Sequence, residues 1–272
     1  MRLDGRTVLI TGGSQGVGAA MARAIAAAGA NVVLHGLRED DFAAATREAC
    51  QSHGVRVDWV CQDLMQATGE AITGLTEQAL AKNPDIDLLV NNAGAFIDKP
   101  FLEMDVDTFE RTMRLNVAAG YFLTQAFARR WIERRIGGRV LFTGSINGLL
   151  AEPQHTAYDA SKAAVAGMVR SLCVALAPHG IRVNALAPGL VRTPLTNQVL
   201  DQDPGALAWM KLHTPNGQVP PADVCGGAAV FLLSDAAGHI HGQTLYVDGG
   251  MSAWQQPDLP PGLAKLAPEY WM

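Results

Sequence analysis

The stretch Thr7-Val-Leu-Ile-Thr-Gly-Gly-Ser-Gln-Gly-Val-Gly18 decides the fold, because it changes from strand to turn to helix within a few residues. Residues 7–11 are a β-branched apolar run that predicts a buried strand. The alanine-rich residues 19–29 predict a helix that ends at glycine. Between them, Gly12 permits a tight turn, Gly16 lets the main chain approach a pyrophosphate, and Gly18 lets the helix pack closely on the strand. Because a helix N-terminus offers N–H groups to an anion, the stretch predicts a phosphate-binding turn.

Apolar runs and helical stretches alternate along the rest of the chain. Predicted strands lie near 7–11, 31–35, 55–60, 86–91, 138–144, 181–187 and 243–248, and predicted helices near 16–29, 39–53, 66–82, 105–135, 155–178 and 221–234. Such alternation predicts an α/β fold, a Rossmann-type doubly wound parallel sheet of about seven strands with helices on both faces. We interpret residues 1–250 as a single dinucleotide-binding domain that includes the catalytic site, and residues 251–272 as a C-terminal tail.

A tyrosine and a lysine stand four residues apart in His155-Thr-Ala-Tyr-Asp-Ala-Ser-Lys162. Side chains at this spacing lie on one face of a helix, so the Lys162 ammonium is expected beside the Tyr158 phenol. A nearby cation favours the phenolate and lowers the pKa of a tyrosine, which is ordinarily about 10. The pair therefore predicts a tyrosine that transfers protons at working pH.

Together these motifs resemble the short-chain dehydrogenase/reductase family, from Thr7 to about Gly250. The matching segments are TGxxxGxG at 11–18, Asp63 after the third strand, NNAG at 91–94, Asn116, Ser145, YxxxK at 158–162, Pro188-Gly189 with Thr193, and VDGG at 247–250. The resemblance implies an NAD(P)-dependent oxidoreductase that moves a hydride between nicotinamide and a carbonyl or secondary alcohol. We interpret the substrate as a sugar, a polyol or a small ketone.

The resemblance also implies roles for individual residues. Tyr158 is expected as the acid/base, Ser145 to bind the substrate oxygen, Lys162 to hold the ribose and lower the tyrosine pKa, and Asn116 to anchor a water relay. The predicted cofactor-binding residues are Gly12, Ser14, Gln15, Gly16, Val17, Gly18, Arg38, Asp63, Leu64, Asn92, Ala93, Gly94, Tyr158, Lys162, Pro188, Gly189, Val191 and Thr193. The predicted substrate-binding residues are Ser145, Asn147, His155, Tyr158 and Leu190.

The end of the second strand bears on the choice of nicotinamide. Enzymes that use NAD usually carry an acid there for the ribose 2′-hydroxyl, whereas this chain has Gly36. Arg38 follows and could meet a 2′-phosphate, so NADP(H) is favoured over NAD(H). In the alternative, Arg38 faces solvent or pairs with one of the acids at 39–41.

Composition limits the remaining classes. The formal net charge of −5 argues against a nucleic-acid surface. No run approaches the roughly 18–20 uninterrupted apolar residues of a membrane helix, and no export signal is recognised. Cysteines 50, 61, 173 and 225 form no CxxC pair, which indicates reduced thiols and a cytoplasmic protein. His239 and His241 have no third ligand at suitable spacing, so no metal site is predicted.

Two alternatives to this function stay open. One is a 3-oxoacyl-carrier-protein reductase, because Arg129, Arg130, Arg134 and Arg135 could meet an acidic carrier protein; the same cations would also suit a helix C-terminus. The other is a non-catalytic nucleotide sensor on the same fold. By resemblance the oligomer is a homotetramer, and the tail with Trp254, Tyr270 and Trp271 is expected to dock on its own subunit or a neighbour.

Overall fold

Seven parallel strands form one sheet in the computed structural model, which describes residues 1–203 and 205–254. The strands are β1 (Thr7–Ile10), β2 (Asn31–Gly36), β3 (Val57–Cys61), β4 (Leu88–Asn91), β5 (Arg139–Thr143), β6 (Arg182–Pro188) and β7 (Thr244–Val247). Their order across the sheet is β3-β2-β1-β4-β5-β6-β7. All seven predicted strands are confirmed, with ends that shift by a residue or two. The predicted tail lies outside the described residues from position 255 onward.

The sheet is covered on both faces, which explains why its strands are continuously apolar. Every residue of β1, β4 and β6 is buried, as expected where helices cover both faces of a parallel sheet. The helices are α1 (Gly16–Ala27), α2 (Asp41–Gln51), α3 (Thr68–Lys82), α4 (Val106–Met113), α5 (Ala119–Glu133), α6 (Thr156–Leu176), α7 (Pro194–Gln202), α8 (Ala206–Leu212) and α9 (Val224–Leu233). One core layer lies under α3, α5 and α6, and the other under α1 and α9.

Small residues bring α1 and α9 close together. A Cβ added to Gly226 of α9 would lie 2.6 Å from the Cβ of Ala24 in α1. The alanine-rich sequence of α1 thus serves close packing, and it places the N-terminus of α1 directly at the end of β1. The phosphate-binding turn is held between these two elements.

The predicted helix 105–135 is interrupted, which corrects the expectation of one continuous helix. A π-helical turn, Arg114–Ala118, separates α4 from α5 and contains Asn116. Turns of this kind are rare and are frequent at functional sites. Two further helices, α7 and α8, occupy a stretch for which no helix was predicted. The Thr193 hydroxyl accepts the Thr196 N–H at 3.1 Å, and Pro194 begins α7, the position at which proline is favoured.

Two buried arginines fasten α9 to the amino ends of β5 and β6. The Arg182 guanidinium donates to the main-chain oxygens of Leu232, Ser234 and Ala237, each at 2.9 Å. Arg139 donates to the Leu233 oxygen and to the Asp235 carboxylate. These cations donate to main-chain carbonyls in the last turn of α9 and in the turn that follows it, where positive charge is favoured.

The segment Thr156–His179, which includes α6, is long and apolar enough to cross a membrane by length and composition, with a mean hydropathy of 1.4. Core helices of soluble proteins meet the same criterion. Lys162 and Arg170 interrupt its apolar residues, and Val165 and Val169 lie in the core layer under the sheet. We therefore describe α6 as a helix that packs on the sheet with one face exposed.

Candidate active site

The turn between β1 and α1 has the shape that an anion needs. Gly12 and Gly16 adopt positive φ of 62° and 57°, which glycine tolerates best. A Cβ on Gly18 would lie 2.1 Å from the Gly12 oxygen, so only glycine fits there. The N-terminus of α1 has no side-chain cap and no acid in its first turn. Its N–H groups are thus left for a ligand, and the cradle fits the pyrophosphate of a dinucleotide.

Asn92 and Thr11 join this turn to the end of β4. The Asn92 side-chain amide donates to the Gly12 oxygen at 2.9 Å, and the Thr11 hydroxyl accepts the N–H groups of Asn92 and Ala93. These bonds form because β1 and β4 are neighbours in the sheet, where the strand order reverses. Ligands of doubly wound sheets bind at this point.

His35, at the end of β2, supports the same turn and was not predicted from the sequence. Its ring is buried, with 3% exposure. Nδ1 accepts the Gly12 N–H at 3.4 Å, so the proton sits on Nε2, which donates to the Gln62 oxygen at 2.9 Å. Burial lowers the pKa of His35 to about 4, so the ring is neutral at physiological pH. The only signal in the sequence was a polar residue inside an apolar strand.

One cavity of about 350 Å³ begins at this turn and ends at the predicted catalytic residues. Its walls include most of the predicted cofactor-binding residues: Gly12, Ser14, Gln15, Gly16, Val17, Asn92, Ala93, Gly94, Tyr158, Lys162, Pro188, Gly189, Val191 and Thr193. Ser145, Ala95, Phe96 and Leu195 line it as well. The carboxyl ends of β1, β4, β5 and β6 thus converge on one space, as the motif positions predicted.

Four predicted cofactor residues lie outside the cavity wall. Gly18 is packed beneath the turn. The Asp63 carboxylate accepts the Met65 N–H at 2.8 Å, and the Leu64 side chain lies in the core. Arg38 is exposed, and its Nε lies 3.5 Å from Oδ2 of Asp40, whose Oδ1 accepts the Ala43 N–H at the N-terminus of α2. A side chain at Gly36 would collide with Trp59, whose ring lies 2.6 Å from the added Cβ.

Tyr158 and Lys162 face the cavity from the first turns of α6. Lys162 is buried, its Nζ donates to the Thr143 oxygen at 2.9 Å, and it lies 5.5 Å from the centre of the Tyr158 ring. Burial lowers the pKa of Lys162 to about 8. The expected neighbourhood of ammonium and phenol ring is therefore present, although the ammonium is directed to a carbonyl of β5.

The pKa of Tyr158 is raised in this structure, contrary to the expectation that Lys162 lowers it. Burial is the main cause, the hydrogen bond with Ser145 opposes it, and the charges of Asp159 and Glu152 add to the rise. The physical reason is that Lys162 is itself desolvated and directed at Thr143, whereas two carboxylates act on the phenol. Tyr158 is thus protonated at neutral pH, the form that donates a proton.

Asn116 has its side chain fully engaged. Its Oδ1 accepts the Ala95 N–H at 2.8 Å, and its Nδ2 donates to the Ala95 oxygen and to the Ser161 hydroxyl. A second cavity of about 10 Å³ lies between Asn116, Lys162 and Asn91. Asn91 Oδ1 faces no donor among the described residues, although it is buried. This volume is close to the minimum for one water molecule, and its walls combine apolar side chains with the polar residues Asn91, Asn116 and Lys162.

Ser145 is connected to a network of polar residues rather than standing alone. Its hydroxyl donates to Asn147 Oδ1 at 3.3 Å, and Asn147 Nδ2 donates to the carboxylates of Asp159 and Glu152 at 2.9 and 3.2 Å. Because carboxylates only accept, the two bonds orient the amide so that its oxygen faces Ser145.

Three of the five predicted substrate residues, Asn147, His155 and Leu190, do not line the main cavity. His155 Nε2 lies 2.6 Å from the Asp98 carboxylate, and Phe96 stands edge-to-face between the rings of His155 and Tyr158, with centroids 4.6 and 4.9 Å away. Leu190 lines a separate pocket beside Thr214 and Val247. Phe96 was not predicted, since it follows the NNAG segment without a motif of its own. In the described part of the chain, His239 and His241 belong to no group of three or more metal-ligating side chains.

Comparison with known proteins gives a consistent result. Residues 12–252 match a family model described as Enoyl-(Acyl carrier protein) reductase. The chain is 33% identical to glucose 1-dehydrogenase of Gluconobacter oxydans (strain 621H) over 93% of this chain and 94% of that protein. It is 34% identical to L-rhamnose 1-dehydrogenase (NAD(P)(+)) of Sphingomonas sp. (strain SKA58), covering 92% and 97%. It is 32% identical to a 3-oxoacyl-[acyl-carrier-protein] reductase of Aquifex aeolicus (strain VF5), covering 92% and 99%.

Solved structures share the whole fold. A putative short-chain alcohol dehydrogenase from Sinorhizobium meliloti 1021 superposes with a TM-score of 0.87 at 33% identity, over 93% of this chain and 98% of that one. A gluconate 5-dehydrogenase from Burkholderia cenocepacia J2315, in complex with NADP and tartrate, gives a TM-score of 0.85 at 35% identity, over 93% and 97%. The matched region holds the glycine turn, Ser145, Tyr158 and Lys162. The chain therefore belongs to the short-chain dehydrogenase/reductase family and is an NAD(P)-dependent oxidoreductase.

Proposed function

We propose that the protein interconverts a carbonyl and a secondary alcohol on a sugar, a polyol or a small ketone, with Tyr158 as the acid/base. The observation that carries this proposal is the position of the Tyr158 phenol, which faces the cavity beside Ser145 and Lys162. Sugar dehydrogenases among the relatives support the substrate class. A nicotinamide dinucleotide supplies or accepts the hydride when it is bound.

In the direction of reduction, Tyr158 donates its proton to the carbonyl oxygen of the substrate. Its raised pKa keeps that proton available at neutral pH. In the reverse direction the phenolate must form first, so alcohol oxidation is expected to rise with pH. Near neutrality Tyr158 is thus in the protonated form that carbonyl reduction uses.

Ser145 orients the substrate oxygen. Its hydroxyl proton is donated to Asn147 Oδ1, at a distance of 3.3 Å that marks a weak hydrogen bond. Rotation about χ1 would transfer this donor to a substrate oxygen beside Tyr158. Asn147 therefore holds the serine proton until a stronger acceptor arrives.

Lys162 and Asn116 line the second, smaller cavity and support proton transfer at Tyr158 from there. We propose that one water molecule occupies the 10 Å³ cavity and bonds to Asn91 Oδ1 and to Lys162. Because the Asn116 side chain is saturated by Ala95 and Ser161, its part is to fix the wall of this cavity through the π-helical turn. Gly12 to Gly18 and Thr193 would hold the dinucleotide.

We propose that NADP(H) is preferred over NAD(H). No acid stands at the end of β2, and the Trp59 ring fills the space that a side chain at position 36 would need. Among the described residues the ion-pair contact of Arg38 is a long one, 3.5 Å to Asp40, so its guanidinium can turn to a 2′-phosphate. NADP in the complex of the gluconate 5-dehydrogenase relative supports this preference.

A carrier-protein reductase remains the second candidate, supported by the relative from Aquifex aeolicus. The sequence argument for this candidate was that arginines near the end of α5 could bind an acidic carrier protein, and the structure weakens it. Arg130 and Arg134 both donate to the Pro84 oxygen, at 3.0 and 2.9 Å, and Arg134 also lies 3.6 Å from Asp85. These two arginines therefore have structural partners. A nucleotide sensor would show no turnover with any carbonyl.

We also propose a cytoplasmic homotetramer. All four cysteines carry free thiols. Val174 on α6 is 76% exposed, and Tyr121 and Ile132 on α5 flank a groove between the two helices. Such an exposed apolar face is explained if α5 and α6 pair with their copies across a two-fold axis. Light scattering would test the assembly.

Replacement of Tyr158 by Phe tests the mechanism. Turnover of ketones, sugars and polyols, followed by nicotinamide absorbance, should fall by ~100- to 10,000-fold because the proton donor is lost. Cofactor affinity should be retained. Tyr121→Phe, which removes a hydroxyl from the exposed face of α5, is the matched control and should change neither quantity. Near-normal turnover in Tyr158→Phe would refute the assignment.

A further inference from the structure

Three carboxylates lie around Asn147 and His155, next to the wall of the active-site cavity, and the reaction itself does not require them. They belong to Asp98, Glu152 and Asp159, which we call the acidic cluster. Glu152 and Asp159 share the Asn147 amide, and the Asp159 carboxylate also accepts the Glu152 N–H at 2.9 Å. The His155 ring lies between Asp98 and Glu152: Nε2 is 2.6 Å from the Asp98 carboxylate and Nδ1 is 3.4 Å from the Glu152 carboxylate.

The acidic cluster is close enough to act on the reacting atoms. Two hydrogen bonds and one amide group connect Ser145 Oγ with the carboxylates of Asp159 and Glu152, which places the charges within roughly 9 Å of that hydroxyl. Phe96 bridges the His155 and Tyr158 rings. The charges of Glu152 and Asp159 also contribute to the raised pKa of Tyr158. The acidic cluster is thus connected to Ser145 through Asn147 and to Tyr158 through His155 and Phe96, although its three carboxylates lie outside the cavity wall.

The cavity offers a substrate anion little compensation. Among the residues that the structure describes, no arginine lines the cavity, and Lys162 is its single lining cation. Lys162 is engaged with Thr143. Lys99, near the mouth, is paired with Asp105. A carboxylate on the substrate would therefore meet like charges without a matched partner.

We propose that the acidic cluster makes the enzyme select uncharged polyhydroxy substrates over their carboxylate counterparts. This inference rests on the proposed function and narrows its substrate class. Like charges at roughly 8 Å, in surroundings between protein surface and water, change affinity by roughly 2- to 30-fold for each carboxylate. The cluster should therefore disfavour sugar acids such as aldonates while it accepts polyols and ketoses.

Pairs of compounds in which one member carries a carboxylate and the other a neutral group at the same carbon test this proposal. D-glucitol and D-gluconate are compared for oxidation, and L-sorbose with 5-keto-D-gluconate and methyl acetoacetate with acetoacetate for reduction. In the wild-type enzyme kcat/KM should be at least about tenfold higher for the neutral member. Glu152→Gln and Asp159→Asn should each reduce this ratio by roughly 2- to 30-fold, chiefly through KM of the charged member.

Two further variants keep the test clear. Asp98→Asn removes a half-exposed charge whose described contact is His155, so its fold should be retained even where the inner variants are destabilised. Asp85→Asn is the control. Asp85 precedes the amino end of β4, whereas the site lies at the carboxyl ends of the strands, so this variant removes one negative charge far from the site and should leave the ratio unchanged.

The outcomes separate the two levels of the argument. Equal or better turnover of the charged members, or a ratio that stays the same in Glu152→Gln and Asp98→Asn, would overturn the role of the cluster while the proposed reaction stands. Absence of turnover for every pair with both nicotinamides would overturn the proposed function, and this inference with it.

Discussion

His35 should make the protein sensitive to mild acid. Its ring is buried beneath the glycine turn, where Nδ1 accepts from Gly12 and Nε2–H donates to Gln62. Protonation would place a charge in the core and remove the acceptor for Gly12. The folded pKa of about 4 lies below the unfolded value of about 6.5. The unfolded chain therefore binds more protons between these values, and the free energy of unfolding must fall as pH decreases from about 6.5 to about 4.

The expected loss can be worked out from these two pKa values. At pH 7.5 the ring is neutral in both the folded and the unfolded state, so titration of His35 takes almost nothing from the unfolding free energy. At pH 5 the difference amounts to about 2 kcal/mol of unfolding free energy. Below pH 4 both states are protonated, and the loss levels off at about 3 kcal/mol.

Urea unfolding at pH 7.5 and pH 5.0 measures this loss. His35→Gln retains a polar side chain that does not titrate, so its stability should fall by about 2 kcal/mol less than that of the wild type over the same interval. The difference between the two proteins cancels the titration of carboxylates. His53→Gln, which changes an exposed histidine after α2, is the control and should behave as the wild type does. An identical pH dependence in wild type and His35→Gln would show that His35 is not a buried, neutral side chain that supports the glycine turn.

Three further changes have defined outcomes. Arg38→Ala should weaken NADPH by roughly 5- to 30-fold and leave NADH unchanged in fluorescence titrations, and an equal loss for both would make the residue structural. Glu152→Gln should move the pH profile of alcohol oxidation to lower pH, because one of the charges that raise the Tyr158 pKa is gone; a shift to higher pH would contradict this. Arg182→Met should lower the unfolding free energy by about 1–3 kcal/mol, because three main-chain oxygens in and after the last turn of α9 lose a charged donor. A loss below about 1 kcal/mol in thermal or urea unfolding would show that water replaces the guanidinium.

The sheet could be predicted because its signals are local. Each strand is a short apolar run followed by a polar or glycine-rich segment, and parallel pairing then brings the carboxyl ends together. The glycine turn, Ser145, Tyr158 and Lys162 were found because each stands at such an end. The helices α7 and α8 were not predicted, although Thr193-Pro194 is a helix start signal that the sequence contains.

The remaining features of the site depend on side-chain orientations and on contacts between distant segments, which the sequence does not specify. The spacing of Tyr158 and Lys162 predicts that they are neighbours, but only the rotamer decides that Nζ meets the Thr143 oxygen. His35 was read as an ordinary strand residue, because its partners come from β1 and from the segment after β3. The acidic cluster likewise joins a loop after β4 with the segment before α6. Such contacts arise from the assembled fold.

The π-helical turn at Arg114–Ala118 limits how this chain can change in length. Each residue of an α-helix advances the side chains by about 100° and 1.5 Å. A deletion within this turn would regularise the helix, yet it would rotate Leu123, Phe127 and Trp131 away from the core layer in which they are fully buried. Insertions and deletions should therefore accumulate in the loops on either side, at 95–105 and 134–138. The number of residues between Asn116 and the core face of α5 is therefore fixed by the π-helical turn. Changes in chain length are expected in the flanking loops and not within the turn.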